Sequence, residues 1–164
     1  HESGSIEGQV LQIFADAYTP VVDSSAIPTG EIASVEGTPM DFRTEKQIGQ
    51  DIRADFEQLH FTGGYDHNYV LGRPGEKKIM ANAYCRESGI ALEAETDCCG
   101  VQFYAGNFIG EQTGKGGASY HDRSAFCLES QFYPNAVNEP DFPSPVVKAG
   151  DTYHTETSYR FYLR

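Results

Sequence analysis

Three polar side chains stand in segments otherwise built for burial, and their types suit proton transfer and hydrogen bonding. Asp66 lies in Tyr65-Asp66-His67-Asn68, directly before the apolar run Tyr69-Val70-Leu71. Gln102 lies in Gly100-Val101-Gln102-Phe103-Tyr104, where strand alternation turns it away from Val101 and Phe103. Glu129 lies in Phe126-Cys127-Leu128-Glu129-Ser130-Gln131-Phe132. There Cys127, Glu129 and Gln131 share one face, and Phe126, Leu128, Ser130 and Phe132 share the other. A carboxylate on a sheet face with apolar neighbours is partly desolvated, so its pKa is expected to rise toward neutrality. That is the condition for useful general-base work. Taken singly, an acid in a strand is more often a solvated edge or a salt-bridged group. Two carboxylates could also form a glycosidase pair, which depends on a separation that sequence does not give.

The histidines are less suggestive. His67, beside Asp66, could orient a ligand or cap a turn. His121 closes a Gly-rich loop, His154 falls in an alternating segment, and His60 and His1 have no evident partners. No H-x-x-x-H or H-E-x-x-H spacing occurs, so no metal site is expected. A G-x-S-x-G elbow and a phosphate-binding P-loop are absent too.

Strands must position these groups. His154 to Leu163 alternates most cleanly, with His154, Glu156, Ser158, Arg160 and Tyr162 opposed to Thr155, Thr157, Tyr159, Phe161 and Leu163. Such a pattern is the mark of a strand with one buried face. Ile90 to Thr96 alternates likewise, and Val10 to Ala15, Lys78 to Arg86, Val101 to Tyr104 and Ala125 to Phe132 are further strand candidates. Turns are expected at Ile27 to Glu31, at Thr62-Gly63-Gly64 and at Arg73 to Glu76. Gly114 to Ser119 reads as a flexible loop, and Pro134 to Pro145 as a proline-rich excursion. One short helix is expected around Glu45 to Leu59, where Ile48, Ile52 and Phe56 recur at four-residue spacing. Many short strands between Gly/Pro turns indicate an all-β sandwich without an internal domain boundary.

Composition narrows the partners. Twelve Lys and Arg face 24 Asp and Glu, and a net charge of −12 disfavours nucleic acid and anionic membrane surfaces. No apolar run approaches the roughly 18 residues that a membrane span needs. Residues His1 to Gly8 lack the basic and apolar blocks of a signal peptide. Cys85, Cys98, Cys99 and Cys127 show no C-x-x-C spacing, and no Asn stands in a glycosylation sequon. Reduced thiols in the cytoplasm are the simplest expectation.

Five segments follow one another in a recognisable order. They are Ala15-Asp16-Ala17-Tyr18-Thr19-Pro20 with Ile27-Pro28-Thr29-Gly30-Glu31, then Pro39-Met40-Asp41-Phe42-Arg43, then Gly64 to Leu71. Gly100 to Phe108 comes next, and Cys127-Leu128-Glu129-Ser130-Gln131 leads into Pro134-Asn135-Ala136. Together they resemble the aldose 1-epimerase (galactose mutarotase) family over nearly the whole chain. The resemblance implies a large antiparallel β-sandwich of the mutarotase-like supersandwich type, incomplete here, with residues 1–164 as its carboxyl-terminal part. It implies interconversion of the α and β anomers of a free hexose such as galactose or glucose, without a cofactor. Glu129 then corresponds to the general base that takes the anomeric hydroxyl proton, and Asp66 and Gln102 to sugar-contacting groups. The family's general acid, a histidine in an Asn-His-x-Tyr-Phe-Asn stretch, has no counterpart among the five histidines. The implied partner is the missing amino-terminal half, whose absence would leave sheet edges and apolar faces uncovered. A non-catalytic sugar-binding module is the alternative. An enzyme for hexose 6-phosphate is a further one, disfavoured by the acidity and the lack of an Arg cluster.

Overall fold

The alternating segments form strands. In a computed structural model describing residues 4–164, the elements run β1 (Val10–Ile13), β2 (Ala17–Tyr18), β3 (Ala33–Ser34), β4 (Lys46–Gln47) and α1 (Glu57–Thr62). They continue with β5 (Asp66–Val70), β6 (Lys78–Tyr84), β7 (Ile90–Thr96), β8 (Gly100–Tyr104), β9 (Gln112–Thr113) and β10 (Ser119–Tyr120). The last two are β11 (Cys127–Gln131) and β12 (Thr157–Leu163). One sheet has the order β11-β8-β5-β2-β3, a second has β12-β7-β6-β1-β4, and β9 and β10 form a small ribbon. All pairings are antiparallel. His1 lies outside the described residues.

The core lies between the two large sheets. Tyr18, Tyr69, Val101, Phe103 and Leu128 come from the first, and Leu11, Ile13, Ala81, Ala83 and Ala94 from the second. A long connection closes one side with Met40, Phe42, Ile48 and Ile52. Phe42, Tyr65 and Phe103 pack ring to ring at centroid distances of 5.0–5.5 Å, a geometry that adds to their area burial. The Tyr65 hydroxyl donates to the Pro39 carbonyl at 3.1 Å and the Tyr69 hydroxyl to that of Met40 at 3.0 Å. Both aromatic rings are thereby buried with their polar ends satisfied, and the connection is tied beneath β5.

The helix differs from expectation. Residues 46–47 pair as β4, 48–53 form turns, and of the expected segment only the stretch from Glu57, in the helix Glu57–Thr62, is helical. Ile48 and Ile52 are fully buried, but the Ile48 and Gly49 amides bond to the carbonyls of Gln9 and Glu7 rather than within a helix. Tertiary pairing has overridden the four-residue spacing. The helix ends at Gly63, left-handed at φ 66°, and the Asn107 amide donates to the carbonyls of Thr62 and Tyr65. That clamp fixes where β5 begins, and so where Asp66 stands.

Strand β12 is correct in position but not in burial. It is an edge strand, with Phe161 70% and Leu163 80% exposed. Alternation made the strand, and on its apolar side Thr157 and Tyr159 meet Ser130 and Leu128 of β11 while Phe161 and Leu163 stay exposed. No helix among those residues is long and apolar enough to cross a membrane.

Candidate functional site

Three neighbouring strands bring the sequence-selected residues together. Across β5, β8 and β11 the register aligns Asp66 with Tyr104 and Cys127, Asn68 with Gln102 and Glu129, and Val70 with Gly100 and Gln131. Directly paired residues point to the same side of a sheet, so these nine form one face. The opposite face carries His67, Tyr69, Val101, Phe103 and Leu128, all buried in the core. Period two thus separates a polar surface from an apolar one within three strands.

The polar face is organised by amides. Gln102 Nε2 donates to Asp66 Oδ1 at 2.8 Å. Gln131 Nε2 donates to Gln102 Oε1 at 3.2 Å and to Asn68 Oδ1 at 3.3 Å. Gly100 makes this possible, because Asn68 Oδ1 and the Tyr133 ring lie where a Cβ would stand. Phe108 is held close by its amide, which donates to the Tyr104 hydroxyl at 3.0 Å.

Desolvation falls on Asp66 rather than on Glu129. Burial pushes the Asp66 carboxyl up, and the Gln102 hydrogen bond offsets part of that shift. Glu129 is exposed, contrary to the expected partial dehydration, because β11 is the sheet's edge strand. Its field is still felt locally. Burial raises the Cys127 thiol first, and then Glu129 and Asp66 raise it further. Burial likewise raises the Tyr159 hydroxyl, with smaller contributions from Cys127 and Glu129. Tyr159 reaches from β12 to donate to the Leu128 carbonyl at 2.8 Å, so it stands at the margin of this face.

His67 is not part of the site. Its ring turns into the core, edge-on to Tyr18, and accepts the Asp66 backbone N–H at Nδ1. Burial pulls it down to about 4, so it is neutral. His60 has a partner after all, Asp55 at 3.5 Å, while His121 meets the Ser124 hydroxyl and His154 lines a cavity with Asp97 and Tyr153. No cluster of three metal-ligating side chains occurs among the described residues. Asn68 was not singled out from the sequence. It was visible only as a polar residue two positions from Asp66, and therefore on the same side.

Against known families, residues 1–160 match the family described as aldose 1-epimerase. The galactose mutarotase of Bos taurus is 43% identical over 160 residues, which cover 97% of this chain and 45% of that protein. The aldose 1-epimerase of Escherichia coli (strain K12) is 36% identical over 163 residues, covering 98% of this chain and 46% of its own length. Among solved structures, the GalM/aldose epimerase homologue from C. elegans superposes with a TM-score of 0.80 at 27% identity, covering 98% of this chain and 47% of that one. The chain spans about half the length of the curated relatives it matches.

Proposed function

This chain belongs to the aldose 1-epimerase family, and on that premise we propose that it supplies the general base and sugar contacts for interconverting the anomers of a free hexose. The observation that carries the reading is the placement of Asp66, Gln102 and Glu129 on one face of adjacent strands. In this reading residues 1–164 form the carboxyl-terminal part of a mutarotase-type sandwich. The remaining half of the family's length, on the same polypeptide or another, is the partner that brings the general acid. Four unpaired cysteines favour a reducing compartment such as the cytoplasm.

The chemistry follows from the groups. Opening a hexopyranose needs loss of the O1 proton and protonation of the ring oxygen as C1–O5 breaks. Glu129 takes the O1 proton, being an exposed carboxylate that a sugar can reach from solvent. The second N–H of Gln102 and the free Oδ2 of Asp66 hold ring hydroxyls, one as donor and the other as acceptor. Rotation about C1–C2 and reclosure, with the proton transfers reversed, give the other anomer. One placed acid or base contributes about 10²–10⁴-fold, so the base half alone works well below a complete pair.

Polarimetry of freshly dissolved α-galactose tests this. Acceleration by the parent chain, completed with the remaining family half, and its loss by about 10²-fold or more in Glu129→Gln support the reading. Equal acceleration by parent and variant rejects Glu129 as the base. Saturable hexose binding without acceleration identifies the binding module instead.

A further inference from the structure

We propose that Gln131 is a positioning residue that locks the side-chain amide of Gln102 with its donor end toward Asp66, giving the face a fixed pattern of donors and acceptors for vicinal hydroxyls. The proposal rests on reading Asp66 and Gln102 as sugar contacts.

A glutamine amide has two ends of nearly equal shape and opposite hydrogen-bonding character. Turned one way, Gln102 presents N–H to Asp66, and turned the other way it presents a carbonyl to a carboxylate. Because the two ends are alike in shape, sterics alone do not choose between them for Gln102, half-buried on the middle strand of three. Gln131 removes that freedom. Its Nε2 is aimed at Gln102 Oε1 at 3.2 Å and at Asn68 Oδ1 at 3.3 Å, two acceptors that hold the donor between them. With Oε1 so occupied, Nε2 of Gln102 is left to face Asp66 at 2.8 Å.

Asn68 is the second anchor, and its environment shows that the arrangement is built. It is 2% exposed, and its Nδ2 is buried without a partner in the protein. An unpaired buried donor is a cost that most structural residues avoid. It is tolerated here because the other end of the amide, Oδ1, is needed by Gln131, and because Gly100 leaves the space for it. The network therefore runs one way, from Gln131 through Gln102 to Asp66. What remains for a ligand is Asp66 Oδ2 as acceptor, the second N–H of Gln102 as donor, and the Glu129 carboxylate as acceptor. Each hydroxyl of a polyol can donate and accept, so such alternation fits neighbouring hydroxyls on one edge of a ring.

Gln131→Met, close to isosteric but without an amide, is the direct test, with Gln131→Leu as a second variant should Met disturb the strand. Two readouts are used on the whole chain: the titration of Asp66 followed by carboxyl-carbon NMR, and galactose affinity by calorimetry. The proposal expects the Asp66 midpoint to move upward in the variants, since the Gln102 donor that stabilises the carboxylate is no longer held in place. It expects galactose to bind about 5–10-fold more weakly, the loss of one net hydrogen bond. A folded variant whose Asp66 titration matches the parent overturns the proposal. Should the parent itself bind no galactose, the sugar reading fails, and the Asp66 titration, which needs no ligand, still decides the lock.

Discussion

Replacing Gly100 by Ala places a methyl group where the site keeps a gap. The new Cβ would overlap Asn68 Oδ1 and stand 2.9 Å from Tyr133 Cδ1. Carbon atoms pack comfortably at about 3.5–4.0 Å, so the Tyr133 ring must retreat by roughly 0.6–1.1 Å. It has little room to do so. Tyr133 is buried with Cys99, Ala136 and Phe142, and meets the Phe142 ring edge-on at 5.1 Å. Overpacking of this kind costs about 1–3 kcal/mol. Replacing a strand glycine returns roughly 0.5–1 kcal/mol by restricting the unfolded chain, leaving a net loss of about 0.5–2 kcal/mol. In urea, with a slope of about 2 kcal/mol per molar, the midpoint should fall by roughly 0.3–1 M. Gly8→Ala is the control, since nothing lies within 4 Å of its Cβ position and it should hold or slightly raise the midpoint. Adding Asn68→Ala to Gly100→Ala relieves one of the two collisions, so the pair should be less than additive by about 0.5–1 kcal/mol. A Gly100→Ala midpoint equal to the parent's would refute the claim that Asn68 and Tyr133 close over this glycine.

Acid should weaken the fold through His67. Its folded pKa is about 4 against an ordinary 6.5, so between those values the unfolded chain binds a proton that the folded chain refuses. Stability is therefore full above about pH 6.5 and declines as pH falls toward 4, by an integrated ~3 kcal/mol. Urea titrations across that range should show the decline, and His67→Phe should lose it; an unchanged pH dependence in the variant would assign the effect elsewhere. Thiol labelling should separate the four cysteines by site. Hydrogen bonds from Ser88 lower the Cys85 thiol, so it should be alkylated first at neutral pH, followed as pH climbs by Cys127, whose thiol is raised by desolvation and then by Glu129 and Asp66. Buried Cys98 and Cys99 should react only on unfolding, and mass spectrometry of peptides reads the order. Faster labelling of Cys127 than of Cys85 at pH 7 would contradict the assigned environments.

Much of the sheet was legible because period two is a local property. Ile90–Thr96 stands as read, β1, β6, β11 and β12 fall within the expected strand segments, and β8 begins one residue earlier, at Gly100. The polar side of Glu129 and Gln131 followed from the same parity. What sequence could not give was depth. His154 to Leu163 alternates as well as any segment, yet Phe161 and Leu163 on its apolar side are exposed, since burial depends on what lies opposite. From the sequence, Glu129 and Asp66 looked alike as acids beside apolar residues. Their difference in exposure comes from sheet order, with β11 at an edge and β5 inside, and order is set by non-local pairing. The short strands β2, β3 and β4 carry two residues each and left no periodic trace. The false helix at residues 45–59 had the same cause, because Ile48 and Ile52 are core residues presented by turns.

Backbone and side-chain NMR of the labelled chain, recorded while galactose is added, addresses the hexose-binding face most directly. Saturable shifts should concentrate on Asp66, Asn68, Gln102, Glu129 and Gln131, with the core-facing His67 and Tyr69 moving less. Shifts centred instead on the cavity lined by Cys85, Leu92, Phe126 and Phe161, or a spectrum indifferent to the sugar, would contradict the account.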